Sequence, residues 1–166
     1  MRYYHPFEPV VFEDSKILIL GSFPSIKSFE DNFYYAHPKN QFWPILSEIF
    51  SMPADTKEQK IELLKKNKIA LWDSAKSCER EGSSLDSNLK NCEVNDFRSF
   101  LIKYPNIKAI FFTGRKAEAL FKKHFKDISL PLILLPSPSP AYAVMKKEDK
   151  LKRYRELLFK YLKEEK

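Results

Sequence analysis

Four short apolar runs, residues 16–20, 69–72, 107–113 and 131–135, constrain the fold of this 166-residue chain more than any other feature. The first, KILIL, does not alternate apolar with polar residues, the pattern of a strand buried on both faces. Helical patterns fill the intervals. A helix opening at Pro38 and running to about Phe50 would place Phe42, Ile45, Leu46 and Ile49 on one face. Pro44 falls early enough in it to be tolerated. Thr56 and Gln59 have the form of a capping box for a helix ending near Asn67. Asn95 is a candidate N-cap for a helix to about Tyr104, and Gly114 leads into a further helix over 115–125. Leu151, Tyr154, Leu158 and Tyr161 line one face of a long C-terminal helix; Lys150, Lys152, Arg153, Arg155 and Lys160 form a solvated basic face. Strand and helix in alternation imply an α/β fold with a mostly parallel sheet covered on both sides.

Residues 1–166 read as a single domain, large enough to bury a core. Residues 1–15 look like an irregular arm, and 73–92 like a long loop of the sort that usually has a function. The formal charge of +7 favours a polyanionic partner. Two cysteines, Cys78 and Cys92, are too few for a disulfide framework or an iron–sulfur cluster and too far apart for a CxxC metal site. Reduced thiols in a cytoplasmic protein are the expectation. No apolar run of 18 residues suggests a membrane span, and the N-terminus lacks the apolar region of a secretory signal.

Ligands of such sheets bind beyond the carboxyl ends of the strands. Two segments placed there are unusual. The first run leads into GSFPS (Gly21, Ser22, Phe23, Pro24, Ser25) and then FYYAHPKNQFW at 33–43, which crowds aromatic rings, His37 and Asn40 into one loop. The last run leads into PSPSPAY, with Ser137, Ser139, Pro140, Ala141 and Tyr142, where hydroxyls and backbone amides suit an anion. The Trp72-Asp73 junction is a third such position. GSFPS is neither the GxGxxG of a dinucleotide fold nor a P-loop. No Ser-His-Asp or Cys-His spacing and no HExxH occurs, and the three histidines are scattered. Residue types alone therefore lead to an α/β domain with an aromatic, amide-bearing pocket and stop short of a reaction.

LGSFPS at 20–25 followed by YYAHPKNQFWPIL at 34–46 resembles the first motif of the uracil-DNA glycosylase superfamily, closest to its hypoxanthine-acting, DNA-deoxyinosine branch. ALWD at 70–73, CER at 78–80, SLDS at 84–87 and LLPSPSPA at 134–141 agree with it, so the likeness spans roughly residues 16–160. The resemblance implies a three-layer α/β/α sandwich, acting as a monomer on DNA that holds a deaminated base, with no metal or cofactor. Such a protein flips the base out and hydrolyses its N-glycosidic bond. Tyr35 matches the ring that stacks on the flipped base and Asn40 the asparagine taken as catalytic. Gly21, Ser22, Phe23, Pro24, His37 and Ser137 would line the base site. Ser25, Ser139, Pro140 and either Ala141 or Tyr142, as the wedge, would meet the DNA.

Two departures shape the expectation. Phe23 stands where most of the superfamily has Asp or Asn, and Ser137 where it has His or Asn. Both losses point away from efficient uracil excision and towards hypoxanthine. A uracil or mismatch glycosylase is the nearest alternative, and a module that binds damaged DNA without cleaving it is a second.

Overall fold

The computed structural model describes residues 1–82 and 85–162; Ser84 of the SLDS segment lies outside them. Among the described residues, the elements run β1 (Arg2–Tyr4), β2 (Ile17–Gly21), α1 (Ile26–Asp31), α2 (Phe42–Phe50), α3 (Lys57–Lys66), β3 (Ile69–Asp73) and β4 (Ala75–Arg80). A 3₁₀ turn, β5 (Leu89–Val94), α4 (Phe97–Lys103), β6 (Ala109–Phe112), α5 (Arg115–His124), β7 (Leu132–Leu134) and α6 (Lys147–Leu162) follow.

The expected parallel sheet is present, with strand order β3-β2-β6-β7. Its strands are apolar throughout because both faces are covered. Ile17, Ile19, Ile69, Leu71 and Phe111 point to one side, where Phe42, Ile45 and Leu46 of α2, Leu63 and Leu64 of α3 and Tyr154 and Leu158 of α6 complete a core. Leu18, Leu20, Ala70, Ile110 and Phe112 point to the other, against Phe97 and Phe100 of α4 and Ala117 and Phe121 of α5. Three layers result. Because side chains alternate, a one-residue slip would exchange these sets, so the two cores fix the register. The capping box also forms: Thr56 Oγ1 accepts from the Gln59 amide, and Gln59 Oε1 accepts from the Thr56 amide.

Several expectations are corrected. Residues 73–92 are not a loop: β4 and β5 pair antiparallel, and β1 of the N-terminal arm adds to β4 as a second, three-stranded sheet. Their alternation was hidden by charged and small residues on a part-exposed face. This hairpin sets Cys78 directly against Cys92, and the two form a disulfide rather than reduced thiols. Pro38 belongs to a turn, and α2 starts only at Phe42. Asp96, not Asn95, caps α4, accepting from the Ser99 amide. Asn95 is buried and its Nδ2 donates to the Asp73 carbonyl. A short helix, α1, was not foreseen. Lys150 is not solvated: it is 1% exposed.

Candidate active site

Parallel strands end on one side of a sheet, so β2, β3 and β6 deliver Gly21, Asp73 and Thr113 to one place. Gly21 pairs with Asp73 in register, and the Thr113 amide donates to the Leu20 carbonyl. The chain turns from β2 to β3 on one side and later crosses to β6 on the other, the switch point at which such sheets bind ligands. A cavity of about 480 Å³ opens there. Every residue that the sequence assigned to base or backbone contact lines it, from the 21–25 turn through Tyr35, His37 and Asn40 to the 137–142 loop. Gly21 is glycine because of close approach. A Cβ on it would lie 2.6 Å from Asp73 Oδ1 and 2.9 Å from the Tyr35 hydroxyl.

The 33–41 segment is fixed by its large neighbours. Tyr34 is buried, its hydroxyl donates to the Glu8 carbonyl, and Trp43 Nε1 donates to the Tyr34 carbonyl. Tyr35 between these anchors takes φ +51°, a conformation that is costly for a bulky residue and typical of functional sites. Its ring stacks on Phe42 at 4.0 Å, and its hydroxyl shares a 2.8 Å hydrogen bond with Thr113 Oγ1. Burial, and secondarily Asp73, push its pKa well above the usual phenol range, so it stays protonated. Asn40 Oδ1 accepts from the Phe42 amide at 2.9 Å, an Asx turn opening α2. The Phe42 amide thus takes one lone pair of the amide oxygen and fixes its direction, while the Nδ2 donors have no partner among the described residues and are what Asn40 offers the cavity as donors. His37 is exposed at the rim, and Nδ1 accepts from the Lys39 amide, which puts the ring proton of the neutral form on Nε2.

The 136–142 loop is tied down from α6. Ser137 Oγ accepts from the Ser139 amide and Ser139 Oγ from the Ala141 amide. The buried Lys150 ammonium donates to the Ser139 carbonyl and to Gln41 Oε1, and Tyr154 donates to the Pro136 carbonyl. Gln41 in turn donates its amide to the Pro138 carbonyl. Lys150 therefore joins the Ser/Pro loop to the start of α2. Lys150→Met keeps the aliphatic stem and removes both bonds. It should cost about 2 kcal/mol, a fall in Tm of about 4–8 °C for a domain of this size, visible by differential scanning calorimetry. An unchanged Tm would mean that the loop holds itself.

Ser25 caps α1, accepting from the Ser28 amide, so its hydroxyl has a structural task at the cavity edge. Phe23 packs with Phe29 and under the Arg80 guanidinium, whose Nη2 donates to the Pro24 carbonyl. It is wall, not polar machinery. Sequence reading missed two carboxylates as site residues. Asp86 is close to the open mouth, and Ser22 Oγ donates to it at 2.6 Å. Although much of the residue meets solvent, its carboxyl end is crowded by the cavity wall, and desolvation pushes its pKa up. Asp73 is buried and bonded to His5 Nε2 at 2.8 Å, across 68 residues of chain. Its place at the end of an apolar run was the available signal; nothing local marked His5. Among the described residues, no group of three or more His, Cys, Asp or Glu side chains could hold a metal.

The arrangement can hold a flat ring against Tyr35, donate from Asn40 and accept at Asp73. A model of the uracil DNA glycosylase superfamily matches residues 9–163. The chain is 36% identical to a hypoxanthine DNA glycosylase of Methanosarcina acetivorans over 81% of its own length and 85% of the relative's. It is 40% identical to one of Methanosarcina barkeri, over 67% of its own length and 71% of the relative's. The solution NMR structure of a candidate uracil DNA glycosylase from M. acetivorans superposes with a TM-score of 0.78 at 33% identity, covering 95% of this chain and 99% of that one. By sequence and by fold, this chain belongs to the uracil DNA glycosylase superfamily.

Proposed function

We propose that the chain is a monofunctional DNA glycosylase that draws a deaminated base, hypoxanthine foremost, into this cavity and hydrolyses its N-glycosidic bond. The carrying observation is Asn40: its oxygen is held by the Phe42 amide while its NH₂ remains for a ligand, beside the Tyr35 ring. Flipping costs a few kcal/mol in lost stacking and pairing. Stacking on an aromatic ring returns about 1–3 kcal/mol; Phe42 covers one face of Tyr35, and the other serves the base. An amide cannot remove a proton from water at neutral pH. The route is therefore dissociative. The C1′–N bond breaks with its electron pair passing to the base, where Asn40 Nδ2 stabilises the developing charge. The sugar cation is screened by the DNA phosphates until water adds at C1′ and gives up a proton. Ser25, Ser137, Ser139 and Pro140 border the DNA, with Ala141 or Tyr142 filling the gap in the duplex; Tyr142 is 38% exposed. The names of the two Methanosarcina relatives support hypoxanthine as the preferred base. We place the enzyme in the cytoplasm, as a single-domain monomer without metal or cofactor.

The test is release of free base, read by chromatography, from duplexes carrying inosine, uracil or xanthine. Hypoxanthine should leave fastest. Faster release of uracil would select the uracil-specific reading. Tight binding to abasic DNA with no release of any base would select a damage-binding module.

A further inference from the structure

A second cleft, beside the active-site cavity, has no part in the reaction just described. It encloses about 270 Å³ and is lined by Tyr3, Ile26, Phe29, Arg80 and Gly82. The turn from Phe23 to Ile26 divides the two: Phe23, Pro24 and Ser25 line the main cavity, and the next residue, Ile26, lines the cleft. Arg80 is built into this partition. Its guanidinium lies over the Phe23 ring, and Nη2 donates to the Pro24 carbonyl. The residue is 7% exposed, yet its buried Nε–H has no hydrogen-bond partner among the described residues. A charged donor taken out of water and left unpaired is costly, so a ligand that brings an acceptor is favoured there. The other walls are largely apolar and aromatic. Phe29 meets Tyr3 edge-on at 5.9 Å, and both Tyr3 and Ile26 are exposed. Such walls around one unshared N–H suit a neutral flat ring that carries a carbonyl. They suit a phosphate poorly, because an anion leaving water needs several donors.

We propose that this cleft takes the base of a nucleotide flanking the flipped one on the same strand, packed against Tyr3 and Phe29 with a carbonyl oxygen on Arg80 Nε. This rests on the glycosylase reading above. A strand with one nucleotide in the cavity has the next a single backbone step away, and the walls of cavity and cleft adjoin at Ser25 and Ile26. A base paired in a duplex has to be unstacked and unpaired to enter. A base in single-stranded DNA is already free to be splayed out onto an aromatic ring. The cleft therefore favours a target in unpaired DNA and makes binding depend on the neighbouring base. Tyr3 precedes residues 9–163, which the superfamily model matches, so this wall of the cleft comes from the N-terminal arm.

The experiment uses single-stranded oligonucleotides carrying 2′-fluoroarabino-inosine, whose fluorine resists cleavage, with affinities from fluorescence anisotropy. The residue on each side of the target is in turn thymine, an abasic spacer, or difluorotoluene, which keeps thymine's shape without its carbonyls. On one side the wild type should bind the thymine strand about 10-fold more tightly than the spacer strand, in the range returned by one base on an aromatic ring. Difluorotoluene should fall between them. Tyr3→Ala should shrink the difference, and Ile26→Trp, which fills the cleft, should abolish it. Arg80→Met should make thymine and difluorotoluene equal; should it fail to fold, the other two variants carry the test. Equal binding of all three strands by the wild type, on both sides, overturns the proposal. So does a neighbour effect that survives both Tyr3→Ala and Ile26→Trp, which would assign it to the 136–142 loop. An effect of a neutral methylphosphonate linkage beside the target, with none from the base, would assign Arg80 to a phosphate and overturn it as well. A wild type that releases no base from inosine DNA refutes the glycosylase reading, whereas one that releases hypoxanthine and ignores the neighbour refutes this proposal alone.

Discussion

Asn40→Ala should lower hypoxanthine release by at least about 10²–10³-fold, the usual cost of losing one preorganised donor to developing charge. The same change removes the acceptor for the Phe42 amide at the start of α2, which should cost about 1 kcal/mol of stability. Loss of activity in the alanine variant would therefore mix two causes. Asn40→Asp separates them. A carboxylate still accepts from the Phe42 amide, and its charge suits a helix N-terminus, so the fold should be kept or slightly strengthened. It has no NH₂ to give, so single-turnover excision should fall as far as in Asn40→Ala. An aspartate variant that still cleaved would show that an acceptor, not a donor, is needed here, and the mechanism would have to change to water activation.

Gly21→Ala is expected to rank second. The added methyl would meet Asp73 Oδ1 at 2.6 Å and the Tyr35 hydroxyl at 2.9 Å. Neither neighbour yields easily, because Asp73 is bonded to His5 and Tyr35 to Thr113. Its φ is not in the left-handed region, so the penalty comes from crowding rather than backbone strain. Overpacking of this kind costs about 1–3 kcal/mol. Displacing the ring proposed to stack on the base, and its neighbour, by even part of an ångström should lower excision by about 100-fold. Calorimetry and single-turnover kinetics on one preparation would read both effects. An alanine variant with wild-type kinetics would mean that Asp73 and Tyr35 move freely, and that the pocket is not preorganised as described.

Local pattern carried a large share of this structure. The apolar runs named all four strands of the parallel sheet, since a strand buried on both faces has no polar positions to obscure it. Thr56 and Gln59 announced α3, because a capping box is satisfied within four residues. The hairpin β4–β5 was not legible: Lys76, Glu79, Lys90 and Glu93 break its apolar pattern, and its register shifts along the pair between Ala75 and Ser77 and again between Ser77 and Glu79. The Cys78–Cys92 disulfide follows from that pairing and was missed with it. Lys150 looked like one more solvated lysine, since nothing near it foretells that the Ser139 carbonyl and Gln41 will converge on its ammonium.

The site divides in the same way. The sequence by itself determined which loops line the cavity, because strand ends in a parallel sheet share one side and the unusual residues sit directly after β2 and β7. It also determined Tyr35 and Asn40 as the residues to watch, through a resemblance carried by one contiguous motif. Only the tertiary structure decided how they are presented: the amide oxygen of Asn40 committed to α2, one face of Tyr35 covered by Phe42, and Asp73 paired with a histidine from the N-terminal arm. Hydrogen bonds and ring contacts between distant segments leave no periodicity in a sequence, and they exist only once two hydrophobic cores have fixed the strands in register.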